Sequence, residues 1–156
     1  HAAHERVLYE HFAHTYTSRN CEIETLLVPF AITLTPFEEE MLKLHTEEFQ
    51  KYGIHIEKQQ EEWKITALPS IFKASSQGLC ETIKQALREP SRLQGILFTT
   101  FSCRQAIKEG EPIDREKALE LISAVFHLSN ARCPHGRPIW YALSKEELFY
   151  FVGRTS

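Results

Sequence analysis

No apolar run in the 156 residues approaches the roughly 20 needed to cross a bilayer, so a membrane-spanning chain is not expected. A signal-peptide pattern is missing too. Cysteine is limited to Cys21, Cys80, Cys103 and Cys133, no two of them in a CxxC pair, and a chain this long does not need them as disulfide staples. There is no Gly-rich nucleotide loop and no GxSxG elbow, which removes two large classes of enzyme. Excess positive charge is lacking: 18 Lys and Arg face 21 Asp and Glu, for a net charge of −3. A strongly basic nucleic-acid binder is thereby excluded, and no segment is basic enough for a DNA-recognition helix. Repeats and low-complexity tracts are absent.

What remains is ordinary globular composition, with 42% hydrophobic and 25% charged residues. The length suits one compact domain or two small subdomains sharing a core. The chain opens at His1 without a methionine, and a piece of a longer protein is expected.

Periodicity predicts a helix over residues 2–14, with Val7, Leu8 and Phe12 on one side. Residues 24–34 read as a strand, in which Pro29 demands an edge, a bulge or a bend. Thr35, Pro36 and Glu38 spell an N-cap, a first helical proline and a capping box. The helix they open should bury Phe37, Met41, Leu44, Phe49 and Tyr52 and stop at Gly53. Alternation at 54–57 and 63–66 predicts a hairpin, its second strand ended by Pro69. Residues 77–88 read as a helix stopped at Glu89-Pro90. Residues 94–102 read as loop or helix leading into a helix through Cys103, Ala106 and Ile107. Asp114 should cap a helix carrying Leu119, Ile122, Val125 and Phe126 inward. A strand over 139–143 and a last helix with a Ser144/Glu147 capping box complete an α+β arrangement.

Three segments carry groups able to do chemistry. His1 and Glu5 stand four apart, so a helix sets both on one face, where they can share a divalent ion; His4 and Glu10 are nearby, and a solvated helix face is the plainer reading of this segment alone. In Cys133-Pro134-His135 a thiolate and an imidazole can reach one zinc ion, with Pro134 and Pro138 stiffening the loop and Gly136 permitting an unusual backbone angle. A rigid turn with one buried thiol accounts for the same letters. Ser102-Cys103-Arg104 offers a soft ligand and a guanidinium fork, or simply a buried helix cysteine beside a surface arginine. The run Glu38-Glu39-Glu40 lies in a first helical turn and reads as structural.

Together these segments resemble the C-terminal domain of MutL-family DNA mismatch-repair proteins, the branch with endonuclease activity. That family carries a DQHAxxExxxxE motif, matched here from His1-Ala2 through Glu5 to Glu10, its Asp and Gln falling before His1. Ser102-Cys103-Arg104 stands for the family's ACR element, and CPHGRP is complete from Cys133 to Pro138. A final FxR element corresponds to Val152-Gly153-Arg154, with Val for the aromatic residue.

The resemblance implies a two-subdomain fold with mixed sheets and packed helices. Residues 1–22 and 99–156 would form a dimerisation and endonuclease subdomain, and 23–98 an inserted regulatory subdomain. It also implies a metal-dependent nick in one strand of duplex DNA. His1, Glu5, Cys103, Cys133 and His135 would be the metal ligands, with Glu5 bridging two ions. Catalysis would rest on Glu5, His1 and Arg104, while Glu10 supports the site or is structural, and Arg137 or Arg104 orients a carboxylate or contacts phosphate. Zinc would be structural or regulatory and manganese catalytic. The implied partners are a second copy, duplex DNA held weakly, a MutS-type mismatch-recognition protein, the ATPase domain of the same full-length protein and a sliding clamp, although Glu24 stands where the clamp motif has Gln. The implied setting is the bacterial cytoplasm. The other reading is a non-catalytic dimerisation scaffold with a structural or regulatory zinc site.

Overall fold

The computed structural model describes residues 1–18, 21–73, 75–128 and 130–153. In chain order the elements are α1 (Ala2–Thr17), β1 (Ile23–Ile32), α2 (Pro36–Lys51), β2 (His55–Gln59), β3 (Glu62–Pro69), α3 (Ser76–Arg88), α4 (Leu93–Gln105), α5 (Arg115–Phe126) and α6 (Lys145–Phe151). The fold is α+β. Its sheet has the order β1-β3-β2 and is antiparallel rather than mixed among the described residues. None of the described helices is long and apolar enough to cross a membrane.

Proline shapes the sheet edge. Thr25 pairs with Ala67 and Phe30 with Ile65, so residues 26–29 stand opposite a single residue of β3 and bulge outward. Pro29 has no N–H to give the ladder, which fits both its edge strand and the bulge. Leu27 and Val28 are pushed into solvent. The β2–β3 turn is shorter than its polar run suggested: Gln59 pairs with Glu62, and Gln60 takes a positive φ of 58° to close it.

The α2 cap forms as its residues predict. The Thr35 hydroxyl accepts from the Glu38 N–H at 3.3 Å, and Glu38 Oε2 accepts from the Thr35 N–H at 2.9 Å. Arg88, from α3, donates through Nε and Nη2 to Glu38 Oε1 at 3.0 and 2.8 Å. Glu38 is thus a fully buried carboxylate with every oxygen engaged. That inward turn of Glu38 corrects the expected apolar face. Leu42, one turn later, is buried with Phe49, whereas Phe37 and Leu44 are exposed. A break in helical geometry at His45 (φ −112°, ψ 15°) lets the two halves present different faces.

Burial pushes the Glu38 carboxyl up, but the Thr35 N–H, Arg88 and the Thr35 hydroxyl outweigh it and the net pKa is lowered. A lowered carboxyl pKa stabilises above the unfolded value, and that stability is lost as pH falls through the folded value. Glu38→Ala is therefore expected to cost about 1–3 kcal/mol in urea unfolding at pH 7. The gap to the wild type should narrow below about pH 4, where the unfolded carboxyl takes its proton before the folded one does. An equal gap at both pH values would refute the assignment.

Other expectations are corrected as well. On α5 only Val125 is buried, while Leu119, Ile122 and Phe126 face outward. Residues 139–143 form no strand among the described residues; only an isolated Arg132–Pro138 bridge precedes them. Residues 93–105 are helical throughout, but the helix does not run on through Ala106 and Ile107, because Ala106 turns extended (φ −66°, ψ 141°); the Asp114 and Ser144 caps form.

One core joins these elements. Phe12 of α1, Phe49 of α2, Ile65 of β3, Ile83 of α3 and Phe98 and Phe101 of α4 are almost wholly enclosed. Phe101 stacks on Phe72 with ring centres 4.0 Å apart. Phe98 meets Tyr9, Phe12, Tyr16 and Tyr52 at 5.1–6.2 Å. Packing of α1 along α4 is what sets the start of one helix beside the end of the other.

Candidate metal centre

Glu5 is the centre of the site. It lies on the first turn of α1 and is only 3% exposed. A carboxylate this deep needs compensation. Among the described residues no Lys or Arg supplies it; two imidazoles do, with His1 Nε2 3.2 Å from Glu5 Oε1 and His135 Nδ1 3.6 Å from Oε2. Each carboxylate oxygen therefore faces a different histidine.

Two thiols complete the arrangement. His1, Glu5 and Cys103 bring one donor atom each within 4.8 Å of one another, and so do Glu5, Cys133 and His135. Cys103 comes from the last turn of α4. Burial pushes its thiol pKa up, and hydrogen bonding and charge from Glu5 push it further the same way.

The local sequence explains each position. The i, i+4 spacing on α1 stacks His1 over Glu5. The Ile107 backbone, just beyond α4, then orients two histidines. Its carbonyl can only accept, so His1 Nδ1–H donates to it at 2.9 Å, which fixes the ring with Nε2 turned toward Glu5. Its N–H donates to His4 Nδ1 at 3.0 Å. Burial and the Lys117 charge lower the His4 pKa, consistent with a neutral acceptor held outside the donor set.

Cys133 and His135 sit on a three-residue turn. The Gly136 N–H donates to the Cys133 carbonyl and the Cys133 N–H to the Arg137 carbonyl, both at 2.8 Å. Pro134 pre-sets the backbone angle of the first turn position, and Gly136 takes a φ of +86°, which favours glycine. The turn so built holds His135 over α1, with Cys133 buried beneath.

The residues fit a metal. Carboxylate, imidazole and thiol converge from α1, α4 and the turn, and thiolate with imidazole suits zinc. All five residues expected as ligands are brought together. The remaining site residues take other places. Glu10 is ion-paired with Arg6 on its own helix and joins neither donor set. Arg104 Nη2 reaches Glu81 of α3 at 3.4 Å. The Arg137 side chain is exposed and its role in the turn is through its carbonyl. Cys21 and Cys80 are free and lie outside both donor sets. Arg154 falls outside the described residues. Sequence reasoning missed Ile107, because a backbone group carries no residue-type signal.

The family model for the MutL C terminal dimerisation domain matches residues 1–113. The DNA mismatch repair protein MutL of Halothermothrix orenii is 33% identical over 163 aligned positions, covering 99% of this chain and 25% of that protein. That of Endomicrobium trichonymphae is 34% identical over 164 positions, covering 99% and 27%. That of Treponema pallidum is 29% identical over 157 positions, covering 99% and 25%. The chain spans about a quarter of the length of these relatives.

Proposed function

Since the chain belongs to the MutL C terminal dimerisation domain family, we propose that it is the dimerising, metal-dependent nuclease part of a DNA mismatch-repair protein, nicking one strand of duplex DNA. The observation that carries this reading is the buried Glu5 carboxylate, which belongs to two donor sets and whose two oxygens each face a different histidine. His1, Glu5 and Cys103 would hold one divalent cation, and Glu5, Cys133 and His135 a second. Such ions polarise a phosphoryl oxygen and activate water. The protein's own part is to hold the donors in register: Ile107 fixes the His1 ring, and the 133–137 turn fixes Cys133 and His135. We assign zinc to the thiolates in a structural or regulatory role and manganese to catalysis.

Exposed apolar side chains support the dimer. Leu119, Ile122 and Phe126 of α5, Trp140, and Leu148 and Phe151 of α6 are all at least half exposed. Side chains of this size left in water on neighbouring segments mark an association surface. Phe126 of α5 and Trp140, on either side of the turn that bears Cys133 and His135 along the chain, lie with ring centres 6.4 Å apart. We assign residues 1–22 with 99–156 to this dimerisation part and 23–98 to a regulatory insertion. The exposed bulge at residues 26–29 supports a sliding-clamp contact, weakened by Glu24 in place of the family's Gln. A MutS-type protein and the ATPase domain of the full-length protein are the other partners we infer. With a net charge of −3, unaided affinity for duplex should be weak, because affinity grows with the phosphates neutralised.

The thiol content of the donor set favours one other reading, a scaffold whose zinc only staples the turn to α1. Nicking of supercoiled plasmid by the full-length protein with manganese separates the two. Activity is expected, and Glu5→Lys should abolish it. A full-length protein that is inert with and without its clamp leaves the scaffold reading standing.

A further inference from the structure

Beside the metal donors lies a groove of about 770 Å³ whose charge opposes that of the chain. Arg6, Arg92 and Arg104 line it, with Gln85, Thr99 and Thr100. No carboxylate is among its lining residues, in a chain of net charge −3. Each arginine has a glutamate partner that lies outside the lining: Arg6 pairs with Glu10, Arg92 with Glu89 at 2.6 Å and Arg104 with Glu81 at 3.4 Å. The Arg6 guanidinium also rests 5.3 Å from the centre of the Tyr9 ring, and its buried Nε has no hydrogen-bond partner among the described residues. Cys103 and His135, one from each donor set, border the same groove.

We infer that this groove seats the phosphodiester backbone of duplex DNA, with Arg6, Arg92 and Arg104 as the phosphate-positioning residues. The inference deepens the nuclease reading and rests on it for the identity of the polyanion. Guanidinium forks match phosphate oxygens in geometry and in charge. The Arg92 and Arg104 pairs are solvent-exposed, so their glutamates are held weakly and phosphate can displace them. Threonine hydroxyls and the Gln85 amide add neutral donors along the same wall. Glu10 thereby serves the groove, where it holds Arg6 in place, rather than the metal donors. Gly95 of α4 leaves the wall open, since a Cβ there would meet nothing within 4 Å.

The test uses the full-length protein and a fluorescently labelled duplex, with anisotropy measured across a salt series. Arg92→Ala and Arg104→Ala are each expected to weaken binding and to reduce the slope of log K against log salt by about 0.9, the value for one phosphate contact. Gly95→Glu places a carboxylate on the open wall and should weaken binding at least as much, while the helix gains from losing a glycine. Gly95→Ala should bind as the wild type does. Zinc uptake, read by equilibrium dialysis, should be unchanged in all four. Unchanged affinity and slope in Arg92→Ala, Arg104→Ala and Gly95→Glu overturn the groove, whether or not plasmid is nicked. A wild type that fails to nick, with the slopes nonetheless reduced in the variants, sinks the nuclease reading and leaves the groove intact.

Discussion

Glu5→Gln is expected to abolish zinc retention while leaving the metal-free protein at least as stable as the wild type. Both halves follow from burial. Glu5 is 3% exposed and is shared by the two donor sets, so its replacement removes a ligand from each. Loss of a mere outer partner weakens a metal site by roughly 10–100-fold, and loss of a shared ligand should exceed that. Without a cation, however, the carboxylate is a buried charge compensated only by imidazoles and a thiol. A neutral amide of the same shape is cheaper to bury. At zinc concentrations about 100-fold above the dissociation constant, the wild type should gain about 2.7 kcal/mol of stability, and the variant almost none. Thermal unfolding with and without zinc reads both quantities. A variant that zinc stabilises as much as it does the wild type would remove Glu5 from the site.

Phe98→Ala is expected to carry the largest cost to folding, about 3–5 kcal/mol in urea unfolding. The Phe98 ring is fully buried, and it meets rings from α1 and from the end of α2 on several sides. Side chains anchored on different elements cannot collapse together into the space, so a cavity should persist. The same packing holds α1 against α4, and these helices carry His1, Glu5 and Cys103. Zinc affinity should therefore fall in this variant although Phe98 is not itself a donor. A cost below about 1 kcal/mol would show that the site can repack and that the ring cluster does not set the register of the two helices.

The contrast between these two residues shows what could be read in advance. Glu5 was legible because helix spacing is a local property: four residues along α1 return a side chain to the same face. The Thr35, Asp114 and Ser144 caps, the turn at Pro134 and Gly136 and the bulge at Pro29 were legible for the same reason, each depending on the backbone of a few neighbouring residues. The apolar faces of α2 and α5 were not. Glu38 turned inward because Arg88, fifty residues away, receives it, and that moved Leu42 into the core and Leu44 out of it. On α5 the large side chains face away from the core, and periodicity cannot say which of two surroundings an apolar stripe will meet.

By itself, then, the sequence determined which groups are available and how each is presented within its own helix or turn: an acid and an imidazole one turn apart, a thiol and an imidazole flanking a proline. Only the tertiary structure decided that these groups, more than a hundred residues apart along the chain, meet around one buried carboxylate, that Ile107 orients the histidines through its backbone, and that Arg6, Arg92 and Arg104 converge beside them. The physical reason is that local backbone preference acts over a turn or two, whereas the meeting of α1 and α4 is set by burial of the ring cluster between them, an interaction with no sequence range of its own.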